Sequence, residues 1–388
     1  MTFPHNELAG YQGFEQGPIR PPSEAYSLLI RVTRNCPWNR CTFCTIYKTT
    51  QFSLRPVAHV IEDIDRVHRY LSGFFKNADA SQPITRERAV AVADDIIPKD
   101  TMAFQAAYHW ASTGMQSIFL QDANSLIIKP EALIHILRHL KKRFPWVERI
   151  TSYARSRTIA RIHDDDLGAM REAGLNRIHI GLESGADAVL KMISKGVDQA
   201  THIKAGLKVK KAGMELSEYV MPGLGGKALS TEHAMETAYT LNQINPDFIR
   251  LRSLTVPNQS CLYQVLAAGD FQKCTEIETA GEILLFLEHL NGITSTVKSD
   301  HVLNLFQEIE GTLPGDKPAM TGVIKTFLAL PPADQCIYIV GRRMGILSQL
   351  SDMQRPHRYQ KVQDTCTRLG ITAENVDRFI DEMTKRFV

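Results

Sequence analysis

Cys36, Cys41 and Cys44 fall within nine consecutive residues, in the run Arg34-Asn35-Cys36-Pro37-Trp38-Asn39-Arg40-Cys41-Thr42-Phe43-Cys44. The run follows the apolar, β-branched stretch Leu28-Leu29-Ile30-Arg31-Val32-Thr33, which places the thiols on a loop at the C-terminal end of a strand. Three thiolates on one loop can hold three corners of a cubane iron–sulfur cluster, whose usual ligands are four cysteines. No other cysteine lies near enough in sequence to look like the fourth ligand. The remaining iron is then a Lewis-acidic, redox-active centre open to a small molecule. A structural zinc site is the competing reading, with His59 or His68 of the following helix as the fourth ligand. A disulfide framework is a poorer one, because seven cysteines in 388 residues are sparse and odd in number. Cys261, Cys274, Cys336 and Cys366 are scattered singly without CxxC spacing, the habit of cysteines that serve as small apolar residues.

The elements that must carry this loop alternate along the chain. Residues 1–25 read as an extended lead-in ending in Gly17-Pro18-Ile19-Arg20-Pro21-Pro22. Strands are expected at 27–34, 116–122, 149–155, 177–183, 215–222 and 248–256. Amphipathic helical stretches are expected at 57–75, 85–112, 130–143, 164–173, 186–211 and 230–243. Asp164 and Ser230 read as helix-opening caps. Six strands each followed by a helix imply right-handed βαβ units and a parallel sheet. The fold class is therefore α/β: a partial (βα)6 TIM-like barrel over 26–260, with an all-helical C-terminal extension over 261–388. A partial barrel places its chemistry at the C-terminal ends of its strands, where the cysteine loop falls. The extension is expected to cover the open barrel edge, or to act as a substrate lid.

Composition narrows the class. Lysine and arginine number 45 against 42 acidic residues, a net charge of +3, too balanced to imply a nucleic-acid partner. No signal-peptide pattern and no bilayer-length apolar stretch is evident. Free thiols and an oxidation-prone cluster fit a reducing compartment, so a soluble cytoplasmic protein is expected.

These cysteines at the end of the first strand of a six-unit barrel resemble those of the radical S-adenosylmethionine superfamily. The closer likeness is to its branch of oxygen-independent coproporphyrinogen oxidases and tRNA-modifying radical enzymes. It covers roughly residues 25–260. The resemblance implies an enzyme with a [4Fe-4S] cluster and S-adenosyl-L-methionine as cofactors. One electron from the cluster would cleave the sulfonium to a 5′-deoxyadenosyl radical, and an electron donor such as flavodoxin or ferredoxin would be needed. The spacing departs from the family's three-then-two pattern: here Pro37-Trp38-Asn39-Arg40 separate the first pair and Thr42-Phe43 the second, a CX4CX2C variant.

The resemblance also marks site residues. Phe43, before the last cysteine, stands where the family places an aromatic beside the adenine; apolar packing explains it as well. After the second strand the family's glycine-rich segment is missing, but Asp122 and Asn124 offer acceptors for the methionine ammonium, or else close an Asx-type loop. After the third strand, Ser152 and Arg155 face the mouth, the arginine ready for a carboxylate or for a barrel acid. The fourth strand, Arg177-Ile178-His179-Ile180-Gly181-Leu182-Glu183-Ser184-Gly185, resembles the branch's cofactor-facing strand end, with Glu183 as acceptor for ribose hydroxyls. Lys195 matches a position that reaches the cofactor carboxylate, and doubles as an ordinary helix-terminal charge. Val220-Met221-Pro222-Gly223-Leu224-Gly225-Gly226 resembles the branch's Gly-Leu-Pro-Gly loop with the proline displaced.

The substrate class is a small molecule; Arg20, Lys48, Arg55, Arg250 and Arg252 point to an anionic one, or to the cofactor's own carboxylate. The reading from another class is a non-enzymatic carrier of a cluster or a haem-like cofactor on a degenerate barrel.

Overall fold

Short β-branched and aliphatic runs make the strands. The computed structural model describes residues 8–76, 84–93 and 100–384. Two compact units are formed: Met1–Asn39, Ile46–Ile180 and Lys208–Leu216 make one, and Arg40–Thr45, Gly181–Leu207 and Ser217–Val388 the other. Among the described residues the sheet has eight strands and is mostly parallel, the α/β class expected from the sequence.

The first unit contains β1 (Leu28–Arg31), β2 (Thr33–Arg34) and β3 (Ser53–Leu54), the last two paired as an antiparallel ribbon. Helices α1 (Val57–Phe74), α2 (Arg86–Ala93) and α3 (Thr101–Ala111) follow. Then come β4 (Ser117–Gln121), α4 (Pro130–Arg143), β5 (Arg149–Ala154), α5 (Ser156–Ile159), α6 (Asp164–Glu172) and β6 (Arg177–Glu183), whose last three residues enter the second unit. β1, β4, β5 and β6 are parallel neighbours. Their register puts Ile118, Ile150, Leu120, Ser152, Ile178 and Ile180 on one buried face. Phe119, Thr151, Tyr153 and His179 take the other face, where the Tyr153 ring meets Phe119 at 5.3 Å and His179 at 5.5 Å. This alternation follows from the two-residue side-chain period of a strand.

The second unit holds α7 (Asp187–Met192), most of α8 (Gln199–Lys211), the end of β7 (Glu215–Val220), α9 (Gly226–Ile244), β8 (Phe248–Leu251), α10 (Cys261–Ala267) and α11 (Glu276–His289). β9 (Thr296–Lys298), β10 (Gly311–Thr312), α12 (Lys317–Leu328), α13 (Pro332–Arg343), α14 (Pro356–Leu369) and α15 (Val376–Thr384) complete it. The residues after 260 are thus not all helical. β9 pairs parallel with β8 around a fully buried Val297, and β10 pairs antiparallel with β9. Strands of two or three residues carry no readable alternation, which is why the sequence pattern hides them.

All six expected strands are present. The stretch 186–211 is broken into α7 and α8, and 85–112 into α2 and α3, residues 94–99 lying outside the described residues. Ser230 is not a cap: α9 begins at Gly226, and Ser230 lies inside it with its hydroxyl on Glu282. Asp164 is the first residue of α6, preceded by His163 as the cap residue, and it pairs with Lys208 and Lys211. No single helix among the described residues is long and apolar enough to cross a membrane.

Candidate active site

The cysteine loop is shaped by two asparagines. Asn35 and Asn39 adopt left-handed φ values of 67° and 46°, a region asparagine tolerates better than other side-chain-bearing residues. Cys36, Cys41 and Cys44 are partly exposed and form no disulfide, and the Asn39 amide donates to Cys36 Sγ at 3.4 Å. The donor set is soft and contiguous, and an amide pointing at a sulfur favours a thiolate or cluster sulfur over a thiol. These residues fit a cubane cluster. Two of the remaining cysteines are poorer ligands: burial pushes the Cys274 thiol up to about 11 and the Cys336 thiol up to about 12, which disfavours the thiolate. His59 and His68 both sit on α1, their rings packed on Tyr11 and Phe144. Among the described residues no three His, Cys, Asp or Glu side chains are grouped around a single-ion site.

In the first unit the flanks of this loop converge on Asp122, at the end of β4. Its Oδ2 accepts from Arg31 Nη2 at 2.7 Å, Arg31 Nε at 3.0 Å and the Asn35 amide at 3.0 Å. Its Oδ1 accepts from the Tyr47 hydroxyl at 2.9 Å. Three of these bonds fall on Oδ2 and one on Oδ1, so protein donors hold both oxygens of this buried group. These bonds are those of the loop-closing alternative at Asp122: the acid ties Asn35, before the first cysteine, to Tyr47, after the last. Gly17 of the lead-in is needed beside it, because a Cβ there would run into Asp122 Oδ1. Glu15 adds ion pairs to Arg31, Arg34 and Arg55.

Asn124 takes the loop-closing alternative likewise. It is buried, with Oδ1 accepting from the Arg155 amide at 3.0 Å and Nδ2 donating to Thr158 Oγ1 at 2.9 Å, which is loop closure. Ser152 lies on the apolar face beside Leu120 and Ile178, its hydroxyl donating to the Tyr153 carbonyl at 3.1 Å, so it does not face the mouth. The Arg155 guanidinium lies 5.0 Å from the centre of the Trp38 ring, a cation–π contact onto the cysteine loop.

In the second unit, the Thr42 amide donates to the Ile193 carbonyl and the Leu262 amide to the Thr42 carbonyl. Phe43 packs on the apolar cluster that includes Val189, Ile193, Leu224 and Leu262, the packing role rather than a free aromatic face. Lys195 Nζ stands 6.0 Å from the Phe43 ring centre and pairs with Glu183 Oε1 at 3.0 Å. Glu183 has φ +66°, a conformation that costs a side-chain-bearing residue about 1–3 kcal/mol and clusters at functional sites. The Met221 amide bond to the Glu183 carbonyl and the Lys195 pair offset it. Gly181 makes room for the pair: a Cβ there would run into Glu183 Oε1 and stand 3.2 Å from Lys195 Nζ.

Three further features escaped the sequence reading. Glu218 of β7 is fully buried and neither of its carboxylate oxygens has a hydrogen-bond partner. Burial pushes its carboxyl well up, Lys195 pulls it down and Glu183 pushes it up further. An acid two residues from both Leu216 and Val220, on the face those apolar residues share, was the available signal. His233 of α9 bridges Ser184 Oγ at 2.8 Å and the Met221 carbonyl at 3.0 Å, and Glu282 of α11 accepts from the Gly223 amide at 2.6 Å. Together they fix the glycine-rich loop after β7. Of the five basic residues singled out, Arg250 is tied to Ser217 and Asp300, Arg55 to Asp63, Lys48 to the Asn39 carbonyl and Arg20 to the Ala25 carbonyl. Arg252 is exposed and carries no side-chain hydrogen bond or ion pair among the described residues.

Residues 86–238 match the model of the Radical SAM superfamily, a span that begins after the cysteine loop. Over 128 residues the chain is 24% identical to the tRNA uridine(34) acetyltransferase of Methanocaldococcus infernus, covering 33% of this chain and 24% of the relative. The chain therefore spans about a quarter of the length of that curated relative. Among solved structures, archaeal Elp3 from Methanocaldococcus infernus aligns with a TM-score of 0.40 at 16% identity, covering 59% of this chain and 55% of that one. Coproporphyrinogen III oxidase from Escherichia coli aligns with a TM-score of 0.44 at 13% identity, covering 74% and 55%. Enzymes of the superfamily use a [4Fe-4S] cluster and S-adenosylmethionine. The match over residues 86–238 takes in about two fifths of the chain and likens that part of it to the Radical SAM superfamily.

Proposed function

We propose that Cys36, Cys41 and Cys44 hold the [4Fe-4S] cluster and that the enzyme abstracts hydrogen from a small anionic substrate. The observation that carries this reading is the set of three thiols in nine contiguous residues, on a chain whose residues 86–238 match the superfamily. When bound, the cluster and S-adenosylmethionine supply reductive cleavage of the sulfonium to a 5′-deoxyadenosyl radical. The chain's own residues bind and orient. Lys195 offers an ammonium to a carboxylate and Glu183 an acceptor to hydroxyls, the two being held together above Gly181. Asp122, Asn124 and Arg155 act on the loop rather than on the cofactor. Arg252 supplies a guanidinium fork for a carboxylate or phosphate of the substrate. A flavodoxin or ferredoxin is the proposed electron donor.

The test is anaerobic reconstitution followed by dithionite and S-adenosylmethionine. Formation of 5′-deoxyadenosine and methionine in equal amounts is expected. A cluster-loaded protein that binds the cofactor and never cleaves it supports the alternative, a cluster or cofactor carrier.

A further inference from the structure

We propose that His233 is a positioning residue of the cofactor site: its imidazole closes a ring of hydrogen bonds that pins Glu183 in the left-handed conformation and so aims its carboxylate. The inference rests on the reading of Glu183 as an acceptor for the cofactor's ribose hydroxyls. It goes beyond that reading, since His233 is buried on α9 and acts on Glu183 only through the chain around it.

Every bond of the ring lies within the second unit. The Glu183 carbonyl accepts from the Met221 amide at 3.0 Å, and the Met221 carbonyl faces His233 Nε2 at 3.0 Å. On the other side of the imidazole, Nδ1 stands 2.8 Å from the hydroxyl of Ser184, the residue after Glu183. A carbonyl oxygen only accepts, so Nε2 carries a proton and Nδ1 is the acceptor for the Ser184 O–H. The Ser184 oxygen itself accepts from the Ala186 amide at 3.0 Å, which leaves its hydrogen to His233. The Nε2–H tautomer thus satisfies both ring nitrogens. Glu282 Oε1, 3.6 Å from Nε2, is beyond hydrogen-bond reach and takes the Gly223 amide instead.

The ring matters because of what it grips. Left-handed backbone at a side-chain-bearing residue such as Glu183 persists only where its surroundings over-determine it. Here the chain after Glu183 is fixed twice: its carbonyl on Met221, and the next side chain on the imidazole that also holds Met221. Gly185 extends the grip. Its amide donates to Thr237 Oγ1 at 2.9 Å, and a Cβ there would run into the Glu236 carbonyl of α9. With Gly181 and Leu182 already in β6, Glu183 has little room to relax its φ. Its carboxylate therefore stays over Gly181, 3.0 Å from Lys195 Nζ. Loss of the imidazole frees one side of the grip, the backbone returns toward the ordinary extended region, and the carboxylate leaves the place where ribose hydroxyls would meet it.

The measurement is a double-variant cycle on the anaerobically reconstituted holoprotein. Equilibrium dialysis gives the affinity for S-adenosylmethionine of the wild type, His233→Phe, Glu183→Ala and the two combined. His233→Phe keeps the ring volume and gives up both hydrogen bonds, while Glu183→Ala leaves no carboxylate to aim. Each single variant is expected to lose roughly tenfold in affinity, because both act through the same acceptor. The combined variant is expected to bind within about twofold of Glu183→Ala alone, with iron content unchanged throughout. A merely structural role for His233 predicts instead that the losses multiply, to roughly a hundredfold. That result, or wild-type affinity in His233→Phe, overturns the proposal and leaves the cofactor reading standing. Wild-type affinity in Glu183→Ala, or no binding by the wild type, overturns the cofactor reading and the proposal with it. If His233→Phe does not fold, Ser184→Ala takes its place in the cycle with the same expectations, because it removes the hydroxyl that the imidazole holds.

Discussion

Asp122→Asn tests whether an acid at the end of β4 holds the cysteine loop closed. The substitution keeps one acceptor oxygen but removes the charge that Arg31 meets at 2.7 Å, and its new amide donors face Arg31 or Tyr47. Breaking one partner of a buried ion pair costs about 3–5 kcal/mol. Arg31 keeps Glu15 at 3.2 Å and is itself 13% exposed, so the lower end applies, about 3 kcal/mol. At 1.4 kcal/mol per decade, that multiplies the locally open population of the loop roughly a hundredfold. Tyr47→Phe removes a single hydrogen bond to the same carboxylate, worth about 1.5 kcal/mol, or roughly tenfold. The assay is the rate at which a ferrous chelator strips iron from the reconstituted protein without oxygen. A graded series is expected: wild type slowest, Tyr47→Phe roughly tenfold faster, Asp122→Asn roughly a hundredfold faster. If both variants lose iron at the wild-type rate, Asp122 does not hold the cluster loop and the argument from its four donors fails.

Replacing Cys36, Cys41 or Cys44 by alanine should abolish the roughly four irons bound per chain, while alanine at Cys261, Cys274, Cys336 or Cys366 leaves iron content unchanged; a requirement for any of the latter four refutes the open-iron reading. Glu183→Gln should weaken S-adenosylmethionine binding roughly tenfold, the lower half of the range for hydrogen bonds to charged groups, with iron unchanged. Gly181→Ala should act in the same direction, since its Cβ displaces Glu183 from Lys195; equilibrium dialysis of both variants checks this, and unchanged affinity removes the pair from the site. Burial alone would raise the Asp65 carboxyl, but hydrogen bonds from His139 and Arg143 hold it at about 2. A depressed acid contributes stability above its unfolded pKa of about 4 that is lost as pH falls toward 2. Urea midpoints of the iron-free protein should therefore fall more steeply between pH 4 and 2 in the wild type than in Asp65→Asn, and equal slopes would refute the pairing.

Most strands were legible because they contain short aliphatic or aromatic runs, as Leu28-Leu29-Ile30 and Ile118-Phe119-Leu120 illustrate. That the three thiols follow the first strand was legible because the aliphatic run Leu28-Leu29-Ile30 stands shortly before them. Orientation was not. Whether Ser152 faces apolar neighbours or the opposite side depends on register with Leu120 and Ile178, set by strands some thirty residues away on either side. Asp122 looked like a free acceptor because its partners, Arg31, Asn35 and Tyr47, lie 75 to 91 residues earlier and local sequence gives no hint of them. Glu218 was visible as an anomaly, an acid between Leu216 and Val220, but its full burial without a hydrogen-bond partner depends on the neighbouring strands and is not readable locally.

The knot of contacts on Asp122 also sets a timetable. Every residue of the cysteine loop leaves the ribosome before the acid that fastens its two flanks, and at about 5–20 residues per second the interval from Cys44 to Asp122 lasts roughly 4–16 s. During that time the three thiols lie on an unfastened nascent chain, open to oxidation and to any soft metal ion in reach. On the proposed cluster reading, delivery that comes after β4 has formed meets a loop already closed at both flanks, whereas delivery before it meets a flexible chelator of three thiols, spaced by four and then two residues, with little discrimination among metals. Slow translation of residues 45–122 should therefore raise the share of mismetallated protein, a cost that arises from where the anchoring acid stands in the chain.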